Sequence, residues 1–163
     1  MQARPATLED AAAIAAIYNQ GIEDRIATFE THLRSEEDVK SWFDTRHPIV
    51  VVGDAGGIVA FGSSSAYSAR ECYAGIGECS VYVRRDRRGR GAGRVAMEAL
   101  IRAAEAAGLW KLTSRVFVEN EPSRKLIRSF GFREVGILEK HGKLDGVWRD
   151  VIVVERLIEA NCR

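Results

Sequence analysis

The chain has 163 residues, 46% of them hydrophobic and 29% charged, with a formal net charge of +1. That composition suits one globular domain over 1–163 with one core, and a near-neutral chain argues against a nucleic-acid binder that relies on a basic face. No apolar stretch approaches the roughly 20 residues of a membrane span, and no signal-peptide pattern opens the chain, so a cytoplasmic protein without a membrane partner is expected.

Residues 2–6 suit a short strand, and Thr7-Leu8-Glu9-Asp10 reads as a capping box that opens a helix carrying Ala11, Ile14, Ala15, Tyr18 and Ile22 at three- and four-residue spacing. Ser35-Glu36-Glu37-Asp38 starts a second helix, with Val39, Trp42 and Phe43 on one side and an end before Pro48. The intervening loop, Glu23 to Leu33, holds Phe29, an aromatic that suits either a lid over the core or a ligand contact. Ile49-Val50-Val51-Val52, the turn Gly53-Asp54-Ala55-Gly56-Gly57 and Ile58-Val59-Ala60-Phe61 form an antiparallel hairpin, followed by a polar stretch from Ser63 to Arg70. A strand from Tyr73 to Val83 leads into a loop and then a helix over 92–107, with Ala96, Ala99, Leu100, Ala103 and Ala107 as its buried stripe. Lys111 to Val118 is the next strand. A helix with Pro122 near its start and Gly131 at its end follows, then strands Phe132 to Glu139 and Val147 to Leu157 around a turn at Leu144-Asp145-Gly146. The order predicts an α+β fold with a mixed, mainly antiparallel central sheet flanked by about four helices.

Chemistry concentrates in Val81-Tyr82-Val83-Arg84-Arg85-Asp86-Arg87-Arg88-Gly89-Arg90-Gly91-Ala92-Gly93-Arg94, which sets three glycines and six arginines between a strand and a helix. Glycines let backbone N–H groups approach a ligand, and the helix aims its positive dipole end at the same point, so a phosphorylated guest is expected. Gly91-Ala92-Gly93-Arg94-Val95-Ala96 spells a dinucleotide fingerprint, but seven residues separate Val83 from Gly91, and the preceding pattern is antiparallel. No Gly-Lys-Ser/Thr follows, so the loop is no Walker motif either.

Cys72, Cys79 and Cys162 are odd in number and lack CxxC spacing, and His32, His47 and His141 are scattered, so neither a disulfide framework nor a metal site is expected. Alternation in Glu78-Cys79-Ser80-Val81-Tyr82-Val83 puts Cys79 on the apolar face with Val81 and Val83, as a small core residue, and Glu78, Ser80 and Tyr82 on the other.

Framed as Arg88-x-x-Gly91-x-Gly93, the loop resembles the pyrophosphate-binding motif of the GNAT superfamily of acyl-CoA-dependent N-acetyltransferases. Val116-x-x-x-Asn120-x-x-Ser123 and Phe130-Gly131-Phe132-x-x-Val135-Gly136 resemble that family's second cofactor segment, and the element order is similar over nearly the whole chain. Within the superfamily, Ile14-x-x-Ile17-Tyr18-Asn19, Ala27-Thr28-Phe29-Glu30, Tyr73, Glu78-x-Ser80-Val81-Tyr82-Val83 and Trp148-x-Asp150-Val151 resemble the phosphinothricin, methionine sulfoximine and arsinothricin N-acetyltransferases.

The resemblance implies acetyl-CoA as co-substrate and a small, glutamate-like or methionine-derived amino acid as acceptor. It places Val81, Tyr82, Val83, Arg88, Gly89, Arg90, Gly91, Ala92, Gly93, Asn120 and Ser123 at the cofactor, although Asn120 also suits a helix cap. Glu78 becomes the candidate general base. Phe29, Arg70, Tyr73, Ser80 and Tyr82 become candidates for the amino acid, with Arg70 and Arg84 as cations for a dianionic substrate. Where many relatives carry a proton-donating tyrosine or histidine, this chain has Ile127, leaving an unassisted thiolate or a substitute among Tyr82, Tyr73 and His141. Family members are often homodimers joined through C-terminal strands, and Val151-Ile152-Val153-Val154 is apolar enough for that. The competing functions are acetylation of a protein N-terminus or a polyamine, a non-catalytic acyl-CoA-binding module and an RNA-binding module.

Overall fold

The computed structural model describes residues 1–163, and seven strands form one sheet in the order β1-β2-β3-β4-β5-β7-β6. The strands are β1 (Gln2–Pro5), β2 (Ile49–Asp54), β3 (Gly57–Ala66), β4 (Ile76–Val83), β5 (Lys111–Phe117), β6 (Arg133–Leu144) and β7 (Val147–Leu157). The helices are α1 (Ala11–Asp24), α2 (Glu36–Lys40), α3 (Ala92–Ala106) and α4 (Glu121–Ser129). All strand pairs are antiparallel except β4 with β5. No helix is long and apolar enough to cross a membrane.

Alternation divides the core between the two faces of the sheet. Ile49, Val51 and Phe61 pack with Ala11, Ile14, Ala15 and Ile17 of α1 and Val39 of α2. Val50, Leu112, Val116, Ile152 and Val154 pack with Met97, Leu100, Ile101 and Ala104 of α3 and Ile127 of α4. The α3 stripe is thus rotated from the expected one. Ala96 and Leu100 are buried and Ala99 and Ala103 half-buried, while Ala107 lies past the helix and is exposed, because larger Met97 and Ile101 take the core positions.

Local chemistry accounts for the other departures. Ser35 caps α2 as expected, accepting from the Asp38 N–H at 3.1 Å. The helix nevertheless ends at Lys40, where the Ser41 hydroxyl donates to the Asp38 carbonyl; Trp42 and Phe43 still pack on the α1 side from the turn that follows. The capping box at Thr7 opens a single 3-10 turn, Leu8–Asp10, that runs on into α1. β3 continues through Ser63 to Ala66, since that polar stretch pairs with Gly77 to Ser80, and the Ser64 hydroxyl donates to the Pro48 carbonyl at 2.7 Å. Glu71–Tyr73 is a 3-10 turn, so β4 begins at Ile76 rather than Tyr73. β6 runs past Glu139 to Leu144, with register shifts at Glu134/Gly136 and Leu138/Gly142.

The feature that positions the site is the short parallel seam. Only Ile76, Gly77 and Glu78 of β4 pair with β5, opposite Lys111, Leu112 and Thr113. Beyond Glu78 the strands part: Cys79 to Val83 keep β3 as a neighbour, Ser114 to Phe117 keep β7, and the edges between them have no strand partner.

Candidate active site

A cleft of about 560 Å³ fills this gap. One wall is β4 from Cys79 to Val83 and the other is Ser114, Arg115 and Val116 of β5; Arg88, Gly89, Gly91, Gly93 and Arg94 close one end, and Asn120, Ser123, Leu126 and Ile127 border α4. Backbone groups on the parted edges can pair with an extended, amide-bearing ligand as an added strand would. Gly91, at φ +89°, caps α3 in the left-handed region where a side chain is strained, and Gly89 has φ +76°. The turn brings the start of α3, Gly91 to Arg94, to the end of the cleft, and the unpaired amides of a helix N-terminus stabilise anions.

The arginines do less than their number suggests. Arg85 and Arg88 both pair with Asp24 at the end of α1, at 2.7 and 2.6 Å, Arg84 pairs with Asp86 at 2.7 Å, and Arg87 pairs with Asp54. Arg85 first, then Arg88, holds the Asp24 carboxyl below its usual range; Arg84 does so for Asp86, as do the Gly56 N–H and then Arg87 for Asp54. Arg84, one of two arginines offered as a cation for a dianionic substrate, is thereby committed to the loop. Arg94 donates to Ser129 at 3.0 Å and lies over the Phe130 ring, while Arg90 is exposed and Ala92 is buried, neither lining the cleft.

Asn120 caps its helix as expected and also borders the cleft. Its Oδ1 accepts from the Ser123 N–H at 3.3 Å, capping α4, its Nδ2 donates to the Ile26 carbonyl at 3.1 Å, and it still borders the cleft.

Across the sheet, a second cavity of about 460 Å³ is lined by Ala27, Thr28, Phe29, Arg115, Phe117, His141, Gly142, Lys143 and Val151. Phe29 meets Phe117 edge-on, with ring centroids 4.9 Å apart, so the loop aromatic both covers core and faces the cavity. Ala27 and Arg115 border both spaces. Glu78 lines neither space, but it faces Arg115, which borders both. Its Oε1 is 3.9 Å from Arg115 Nη1, and its side chain is 38% exposed, enough to reach a ligand.

Other expected residues fall elsewhere. Ser80 is exposed on the cleft wall. Tyr82 borders the cleft, but its ring stacks on Phe61 at 5.5 Å, meets Tyr18 edge-on at 4.9 Å, and lies so near α1 that a Cβ on Gly21 would come within 2.6 Å of it. Burial pushes the Tyr82 phenol well up, so it stays protonated at neutral pH and is a weaker acid than a free tyrosine. Arg70 and Tyr73 form a separate exposed cluster with Tyr67, the Arg70 guanidinium lying 5.5 Å from the Tyr73 ring centre, and none of the three lines either cavity. Cys79 is buried, as expected, and burial pushes its thiol up to about 12, which leaves it inert as a nucleophile. Ile127 is a buried, protonless part of the cleft wall.

The reading from the sequence missed Arg115. The signal was there: alternation in Lys111 to Phe117 sets Lys111, Thr113, Arg115 and Phe117 opposite the apolar Leu112 and Val116, giving a charged face in mid-sheet.

Comparison with known proteins fits this geometry. The model of the acetyltransferase (GNAT) family matches residues 14–132. The chain belongs to the GNAT acetyltransferase family. It is 33% identical to an L-methionine sulfoximine/L-methionine sulfone acetyltransferase of Pseudomonas aeruginosa over 157 residues, covering 93% of this chain and 91% of that one. A crystal structure of a GNAT superfamily phosphinothricin acetyltransferase from Sinorhizobium meliloti in complex with acetyl-CoA superposes with a TM-score of 0.88 at 27% identity, over 96% of this chain and 87% of that one. The ribosomal-protein-alanine N-acetyltransferase structure from Brucella melitensis gives a TM-score of 0.91 at 30% identity, over 97% and 100%. This GNAT chain is an acetyl-CoA-dependent N-acetyltransferase, and the parted strands with their glycine loop fit that co-substrate.

Proposed function

We propose that the enzyme acetylates the α-amine of a small free amino acid of the methionine sulfoximine, phosphinothricin or arsinothricin type, by direct attack on the thioester with Glu78 as general base. The observation that carries this is the place of Glu78, at the last paired position of β4 and 3.9 Å from Arg115, the cation that borders both spaces. An α-amine with a pKa of about 8 arrives mostly protonated, and a carboxylate at the junction takes the proton directly or through one water. Bound acetyl-CoA supplies an activated acyl group. A backbone N–H in the Val81–Val83 segment is the proposed donor to the developing oxyanion, a role worth about 3 kcal/mol where such donors have been removed. With Ile127 on the wall and the Tyr82 phenol pushed up, the thiolate is proposed to leave unassisted, which a thiol pKa of about 8.5 permits.

The lining also supports an anionic acceptor: the second cavity carries Arg115, His141 and Lys143 and no Asp or Glu in its lining, with Glu78 reached through Arg115 at its edge. A polyamine would meet Glu78 but also the Arg115 cation 3.9 Å from it. The likeness to the Brucella structure supports a second reading, acetylation of a protein N-terminus. A panel of methionine sulfone, methionine sulfoximine, phosphinothricin and arsinothricin, run beside a peptide with N-terminal alanine and a polyamine, separates them. N-acetyl amino acid as the favoured product is expected. Preference for the peptide or the polyamine would overturn the proposal.

A further inference from the structure

Arg115 stands half-exposed on β5, the one cationic side chain that borders both the cofactor cleft and the cavity across the sheet. The other cations nearby are placed differently: Lys111, paired with Glu155 at 3.4 Å, and Arg149, over the Phe117 ring, line neither space, and Lys143 lies over the Trp148 ring. The Arg115 guanidinium makes no hydrogen bond within the protein, and its ion-pair partner Glu78, at 3.9 Å, is too far for one. Its N–H donors, set in a rigid fork that matches a carboxylate, are therefore available to a ligand at the junction.

We propose that Arg115 binds the α-carboxylate of the acceptor and so makes the enzyme specific for free amino acids, an inference that rests on the amino-acid acetylation proposed above. The spacing closes. In an α-amino acid the amine nitrogen and the nearer carboxylate oxygen lie roughly 2.7 Å apart by standard bond lengths. Charge-assisted hydrogen bonds of about 2.8 Å from Arg115 to the carboxylate and from the amine to Glu78 then span the 3.9 Å between Nη1 and Oε1. One ligand thus replaces the long ion pair and delivers its amine to the proposed base. A peptide N-terminus offers only a neutral carbonyl at that position and a polyamine offers none. Without its anion, an acceptor loses the pairing with Arg115 that sets discrimination.

The test compares kcat and KM for methionine sulfone and its α-carboxamide in the wild-type enzyme, Arg115→Gln and Arg115→Lys, with the KM for acetyl-CoA and the melting temperature as controls. The wild type is expected to favour the acid by roughly ten- to hundred-fold, the range for a hydrogen bond to a charged group. Arg115→Gln should lose that preference chiefly through KM for the acid, with the amide and acetyl-CoA changed by no more than a few-fold, and Arg115→Lys should recover part of it. Discrimination that survives in Arg115→Gln, or equal losses on acid and amide, would overturn the role of Arg115 while leaving amino-acid acetylation intact. A wild-type enzyme that acetylates no free amino acid would overturn both.

Discussion

On the α3 side of β4 the cleft is framed by backbone: the parted edges of β4 and β5, two glycines with positive φ and the start of α3, with the β4 edge, the glycines and the helix start in one continuous stretch from Cys79 to Arg94. On the α1 side the cavity is made of side chains from four separate places, Phe29 in a loop, Arg115 and Phe117 on β5, His141 and Lys143 on β6 and Val151 on β7. Backbone recognition suits a ligand that never changes, because it tolerates drift in side chains provided the conformation holds. Side-chain recognition suits the variable partner, since each contributing segment can be altered without disturbing the cofactor wall. Glu78 sits where the two regimes meet.

The largest expected effect is at that meeting point. Glu78→Gln should lower kcat by about 10²- to 10⁴-fold, the usual worth of a general base, with acetyl-CoA affinity unchanged. A variant with unaltered rate and pH profile would make Glu78 structural. Next, Gly91→Ala forces a side chain into φ +89° although open space surrounds the position, so strain rather than collision is tested. About 1–2 kcal/mol of strain should weaken acetyl-CoA binding by roughly ten-fold and leave the amino-acid KM nearly unchanged. Gly142→Ala is its counterpart across the sheet, where the new Cβ would lie 2.9 Å from Phe29 Cε1 and displace the ring. A several-fold rise in amino-acid KM, with acetyl-CoA affinity intact, is the expected result by titration and steady-state kinetics. If both variants disturb both ligands alike, the two sides are not separable.

The smallest effect belongs to the loop ion pairs. Asp24→Asn removes the half-buried carboxylate shared by Arg85 and Arg88, both at least a third exposed, and should alter acetyl-CoA affinity by no more than a few-fold. The carboxyls of Asp24, Asp54 and Asp86 are held below their usual range. Their stabilisation is therefore complete above the unfolded value of about 3.9 and is lost only as pH falls through the lower folded values. Acetyl-CoA dissociation constants measured between pH 6 and 8 should show no contribution from these pairs, with loop loosening confined to strong acid.

The same contrast explains what the sequence revealed. The cofactor side was legible because glycine spacing, strand alternation and a helix start are local signals, and Asn120 and Ser123 lie one turn apart on the helix that follows. The neutralising role of Asp24 was not legible, since it reaches Arg85 and Arg88 across 61 and 64 positions of chain. The proposed acceptor side depended on long-range register: β5 residues face Glu78 only once the parallel seam fixes Glu78 beside Thr113. Arg70 and Tyr73 carried plausible chemistry but fold into their own cluster with Tyr67, and Tyr82, polar by composition, is held by aromatic packing. Strand ends were misplaced where serines and glycines continue a ladder that composition alone would end, as at Ser63 to Ala66.

The most direct measurement is a crystal structure of the enzyme with coenzyme A and N-acetyl-methionine sulfone. The expected result places the pyrophosphate at the amides of Gly89 to Gly93, the pantetheine arm along Val81 to Val83, and the product nitrogen within hydrogen-bond reach of Glu78, directly or through one water. A product nitrogen lying instead against Arg70 and Tyr73, remote from Glu78, would contradict the assignment of the junction as the reacting centre.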